Sequence, residues 1–133
     1  GEAEILSRME FSNPLDDLGP VIDAAELLRL IAALRTLHVD PDIRRYAVRI
    51  VRATREDPAF ELGASPRASL FRASRALAAI NGRDFVLPDD VKQMAVYVLP
   101  HRLILSTQAR LRGRDVDELL ADVLARVPVP VEH

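Results

Sequence analysis

Apolar residues recur at helical spacing along most of this chain. From Asp23, the residues Leu27, Leu30, Ile31 and Leu34 fall three and four apart on one helix face. Asp23 stands where an N-cap belongs, with Glu26 three residues on, as in a capping box. "LHVDPD" interrupts the pattern. Asp40 can then cap the next helix, with Pro41 at its favoured first position. Ile43, Tyr46, Ala47, Ile50 and Val51 give that helix its inward face as far as about Arg55. "EDPAFELG" reads as a loop. A further helix is expected from Ser65 as cap and Pro66 as first residue, with Leu70, Ala73, Leu77 and Ile80 as its buried stripe. Asn81-Gly82 is the usual kind of helix stop. Pro88 opens another helix, with Val91, Met94, Ala95 and Val98 inward, until Pro100 ends it. The last helix runs from about Val116 to Ala125.

The remainder is connection. "EAEILSRM" (2–9) reads as a short helix with Ile5, Leu6 and Met9 on one side. "FSNPLDDLGP" is a Pro-, Asn-, Asp- and Gly-rich linker. "RDFVL" and the residues around Val39 are extended and can pair as a two-residue bridge. "VPVPVEH" is an extended, polyproline-like tail. No fixed-period repeat appears. The pattern predicts an all-α helical bundle with short connections and at most a very short two-stranded β bridge.

Composition narrows the function more than the fold. The 133 residues suit one domain, long enough to bury about two-thirds of its unfolded surface. The core must be aliphatic, since aromatic residues make up 5% and there is no Trp. A net charge of −2 argues against a nucleic-acid module that depends on bulk electrostatics. The absence of Cys removes disulfides and thiolate metal sites. No apolar run approaches a membrane span and no signal peptide opens the sequence, so the default expectation is a cytoplasmic protein.

Of the eighteen basic residues only Lys92 is a lysine, and it follows Val91 rather than glycine. A phosphate-binding P-loop needs a Gly-Lys pair before Ser or Thr, so this chain holds none. GxGxxG and GxSxG are also missing. His38, His101 and His133 have no zinc-site spacing. Asp16-Asp17 and Asp89-Asp90 suit a turn and a helix start rather than acid–base chemistry. The chain alone is not expected to catalyse a reaction or to hold a metal.

One residue stands in the wrong place for its charge. In "LGASPRAS" Arg67 lies in the first turn of a helix, where the dipole is positive and a cation costs about 0.3–1 kcal/mol. Free helix N–H groups beside a guanidinium form a site for phosphate oxygens. The plain alternative is an arginine that snorkels over the surface into solvent. Arg72 and Arg75, on the same helix, read as a solvated face.

Three blocks in order, Gly63-Ala-Ser-Pro-Arg-Ala68, Gly82-Arg-Asp-Phe-Val86 and Pro88-Asp-Asp-Val91, resemble the C-terminal lid of MoxR-type AAA-plus ATPases. "IVRATRE" before them, Leu99-Pro-His-Arg-Leu103 after them, and "DELLADVLARVPVP" at the end are similar to the same family. Thus the resemblance covers nearly the whole chain, the N-terminal third mostly by pattern. It implies an AAA-plus lid: residues 1–22 as entry helix and linker from a core outside this chain, 23–126 as the lid, and 127–133 as a Pro-rich tail. It implies that Arg67 is the sensor 2 arginine, reaching the nucleotide phosphates, with Gly63 and Ser65 beside it in cofactor binding. Ser65 serves first as N-cap, and Gly63 serves the turn or the approach to adenine. ATP and Mg²⁺ would be bound mainly by the core. Family members are chaperone-like ATPases for complex assembly or activation, often hexameric, with partners that contain von Willebrand A domains.

His101 and Arg102 match a family motif with no derived role. Leu87 departs from the family, which commonly has Thr there, and so lacks a capping hydroxyl. A reading from another class stays open: a free-standing helical adaptor that binds protein or nucleic acid through Arg72, Arg75 and Arg83.

Overall fold

The structure, a computed structural model, describes residues 18–62 and 67–130. The helix expected over 2–9, the turn Gly63–Pro66 and the last three residues lie outside the described residues. Two compact units divide the chain, residues 1–33 and 34–133. Among the described residues there are six α-helices: α1 (Ala24–Thr36), α2 (Pro41–Glu56), α3 (Arg67–Ile80), α4 (Pro88–Val98), α5 (Thr107–Leu111) and α6 (Val116–Arg126). Two strands, β1 (Phe60–Leu62) and β2 (Ile104–Leu105), form one small antiparallel sheet.

Helix α1 begins as its sequence predicts, with the Glu26 N–H donating to Asp23 Oδ1 at 2.7 Å. None of its residues is buried. Its apolar positions Leu27, Leu28, Leu30 and Ile31 are all exposed.

The core lies in the second unit. Asp40 caps α2 by accepting the Asp42 N–H at 2.7 Å, and Pro41 takes the first helical position. The whole expected face of α2 is buried, with Tyr46 and Ile50 fully so. Thr54 joins that face because its own hydroxyl is paired there, donating back to the Val51 carbonyl at 2.8 Å. Around α2 pack Leu70 of α3, Val91 and Ala95 of α4, Leu99, and Leu120 and Val123 of α6.

In α3 the buried stripe is Leu70, Ser74 and Ala78, not the expected Leu70, Ala73, Leu77 and Ile80. Ile80 is 81% exposed. The small side chains of Ser74 and Ala78 suit a close approach of α3 to α4, its main packing partner. Ser74 is tolerated there because its Oγ donates to the Leu70 carbonyl at 2.8 Å.

The expected bridge forms between His38 and Phe85 in parallel sense. The His38 N–H donates to the Asp84 carbonyl at 2.9 Å, and the Val86 N–H to the His38 carbonyl at 3.2 Å. The β1–β2 sheet occupies the segment expected to be a loop, pairing Phe60 with Leu105 and Leu62 with Ile104 across an irregular register. Pro100 ends α4 as expected and opens a single 3-10 turn, Pro100–Arg102.

Candidate functional site

Arg67 is the first residue of α3, and no acidic side chain stands in that turn. The side chain is exposed and has no ion-pair or hydrogen-bond partner among the described residues. A cation at the positive end of a helix, with no carboxylate to offset it, suits an anion supplied from outside. Gly63 and Ser65, expected beside it, lie outside the described residues.

Strand β1 of the small sheet precedes α3, and a closed turn follows it. β1 ends at Leu62, five residues before Arg67, and is pinned by its pairing with Ile104. Glu61 adds a link beside the sheet, accepting from both the Thr107 N–H and its hydroxyl at 3.3 Å. At the far end of α3, Gly82 takes a left-handed φ of +71°. That lets the Arg83 N–H reach the Ala78 carbonyl at 3.0 Å and the Gly82 N–H reach Ala79 at 2.9 Å. Such a closure satisfies helix-end carbonyls and needs a residue free of a Cβ clash.

Arg83 then clamps α3 to α4. Its Nη1 and Nη2 donate to the two oxygens of Asp90 at 2.7 and 2.6 Å. Asp90 Oδ2 also accepts the Leu87 N–H at 2.8 Å, which supplies half of a capping box where the hydroxyl is missing. Burial alone would raise the Asp90 carboxyl, but the hydrogen bonds from Arg83 and Leu87 and the Arg83 charge outweigh it. The group therefore sits below the usual carboxylate range.

These contacts sort the remaining candidates. Arg83 is spoken for by Asp90, so the three-arginine surface of an adaptor does not assemble. Arg75, expected on a solvated face, is partly buried, with its guanidinium 4.7 Å from the centre of the Phe71 ring. Arg72 is exposed. His101 and Arg102 sit exposed on the 3-10 turn, where Arg102 Nε donates to His101 Nε2 at 3.3 Å. The Leu62–Ile104 pairing puts this turn at the end of the sheet where β1 finishes.

Sequence reasoning missed a second ion pair, between Asp57 at the end of α2 and Arg126 at the end of α6. Burial would raise Asp57, but hydrogen bonds from the Ala59 N–H and from Arg126, with the Arg126 charge, bring it below its ordinary value. No local signal marks a pair so far apart in sequence. Among the described residues no cluster of His, Asp and Glu is placed to hold a metal ion. Nor is any described helix long and apolar enough to cross a membrane. For a nucleotide, these residues offer an exposed cation for phosphate and no carboxylate set for Mg²⁺.

Among the described residues, the helical domain presents an exposed guanidinium at the head of α3. Comparison with known proteins gives the class. Residues 52–123 match the family model of the AAA lid domain. The chain is 36% identical over 134 residues to the uncharacterized protein YeaC of Bacillus subtilis, covering 99% of this chain and 42% of that protein. It is 34% identical over 140 residues to the chaperone MoxR1 of Mycobacterium tuberculosis, covering 97% of this chain and 37% of that one. A crystal structure from Cytophaga hutchinsonii, described as that of a candidate ATPase, superposes with a TM-score of 0.83 at 26% identity. That match covers 98% of this chain and 43% of the other. The chain belongs to the AAA lid domain family and is the lid of a MoxR-like ATPase. It spans less than half the length of these relatives.

Proposed function

We propose that this lid closes over ATP bound to a nucleotide-binding core in the same polypeptide and places Arg67 on the phosphates as the sensor 2 arginine. The observation that carries the reading is Arg67 itself: exposed, unpaired among the described residues, and at a helix head without an acid. Phosphate oxygens meet both the guanidinium and the positive end of the helix there. Gly63 and Ser65, on this reading, take part with Arg67 in binding the nucleotide. Mg²⁺ and the attacking water belong to the core. Residues 1–22 join core to lid, 23–126 form the lid, and 127–133 form the tail. The α3–α4 pair, closed by Arg83 and Asp90, carries Arg67 as one piece when nucleotide state changes.

The whole protein, on this reading, is a cytoplasmic, chaperone-like ATPase that assembles or activates protein complexes. It works as a hexameric ring, with von Willebrand A domain proteins as partners. The test is the gene sequence upstream of Gly1. A P-loop encoded there supports the lid reading; a start codon at this point, with no P-loop before it, overturns it.

A further inference from the structure

Helix α1 has the composition of a packed helix and none of the burial. Its charged residues are Glu26, Arg29 and Arg35 alone. At 100° per residue, Leu30, Leu34, Leu27, Ile31 and Leu28 fall within an arc of about 160°, with Glu26 and Arg29 outside it and Arg35 inside it only in the last turn. An apolar arc of that width is what a helix turns toward a core. Here most of it is exposed, with Leu28 at 66% and Leu30 at 53%, while Leu34 is half-buried. Leu18 and Val21, just ahead of the helix, are exposed as well. Thirteen residues are too few for a stable helix in water without packing, and a contiguous apolar patch of this kind marks a contact surface.

We infer that the apolar face of α1 is the surface by which the lid seats on the nucleotide-binding core of its own polypeptide. This rests on the lid reading above. The structural match to the Cytophaga protein covers 98% of this chain, so α1 lies inside the shared fold. More than half of that protein lies outside the match and is available to cover the helix. A core joined through the residues that lead into Asp23 is also present at high effective concentration, which favours it over a second copy of the lid. The complementary surface is apolar, with its polar rim toward Glu26 and Arg29.

The test is amide hydrogen exchange over residues 24–36 in the full-length protein and in the 133-residue chain. The added protection in the full-length protein should be at least about tenfold. Leu28→Glu and Leu30→Glu preserve helix propensity. Each should remove that added protection while leaving the thermal midpoint of the 133-residue chain unchanged. Equal exchange in the two proteins would overturn the inference. So would protection in the 133-residue chain that rises with its concentration, which assigns the face to a second copy. The two readings fail separately. Full ATP turnover by an Arg67→Ala variant would refute the phosphate contact and leave the α1 protection where it was.

Discussion

Asp90 is the side chain whose loss the structure translates most directly into a measurable cost. Three hydrogen bonds end on its carboxylate, two from Arg83 and one from the Leu87 N–H. Asp90→Ala removes a charge-assisted pair, worth about 1.5–3 kcal/mol in comparable cases. It also frees a helix N-terminal N–H, for which lost caps cost about 1 kcal/mol. The Arg83 side chain is 22% exposed and can turn to water, so the full penalty of a stranded buried charge is not incurred. The expected cost is about 2–4 kcal/mol, or about 10–20 °C in thermal midpoint for a domain of this size. Circular dichroism melts of the wild type and the variant measure it. Asp90→Asn, which keeps one acceptor, should fall between them. Once Asp90 is replaced, Arg83→Ala should add little, because the two act as one unit. A midpoint for Asp90→Ala within about 3 °C of wild type would refute the clamp, since 10 °C or more is expected.

Two further outcomes follow from the same contacts. Asp57 and Asp90 both have folded-state pKa values below the ordinary carboxylate value. Their stabilisation is therefore complete above the unfolded value near about 3.9 and is lost as pH falls through the folded values. Urea midpoints should hold steady from pH 8 to 5 and drop below about pH 4, less steeply in Asp90→Asn; an equal acid drop in that variant would contradict the assignment. Leu87→Thr should raise stability by under about 1 kcal/mol, because it supplies a hydroxyl cap but gives up some packing of a half-buried leucine. A lower denaturation midpoint would show that packing outweighs capping at this position.

Helix α2 was fully legible in the sequence because five apolar residues hold strict helical spacing behind an Asp-Pro start. Every one of them is buried. Helix α3 was legible as a helix but its stripe was read one position off. Hydropathy favours Leu77 and Ile80, whereas close packing on α4 selects the small Ser74 and Ala78. The hydroxyl of Ser74 is satisfied within its own helix, and nothing in the sequence announces that. The β1–β2 sheet escaped notice because its strands are three and two residues long and pair across more than forty residues of chain. Arg83 and Asp90 were invisible as a pair because pattern reading sends charges to solvent. Arg67 stands out in the sequence as a cation in a first helical turn, and the structure places it there, exposed.

The most direct test of the lid reading is Arg67→Ala, measured twice. In the 133-residue chain the variant should keep its fold and its midpoint, or gain slightly, because a cation leaves the positive end of a helix. In the full-length ATPase it should lower nucleotide affinity or turnover by about ten- to a hundredfold, the worth of one charge-assisted contact to phosphate. Unfolding of the 133-residue chain would make Arg67 structural. An intact fold together with undiminished ATP binding and hydrolysis would show that Arg67 does not touch the nucleotide.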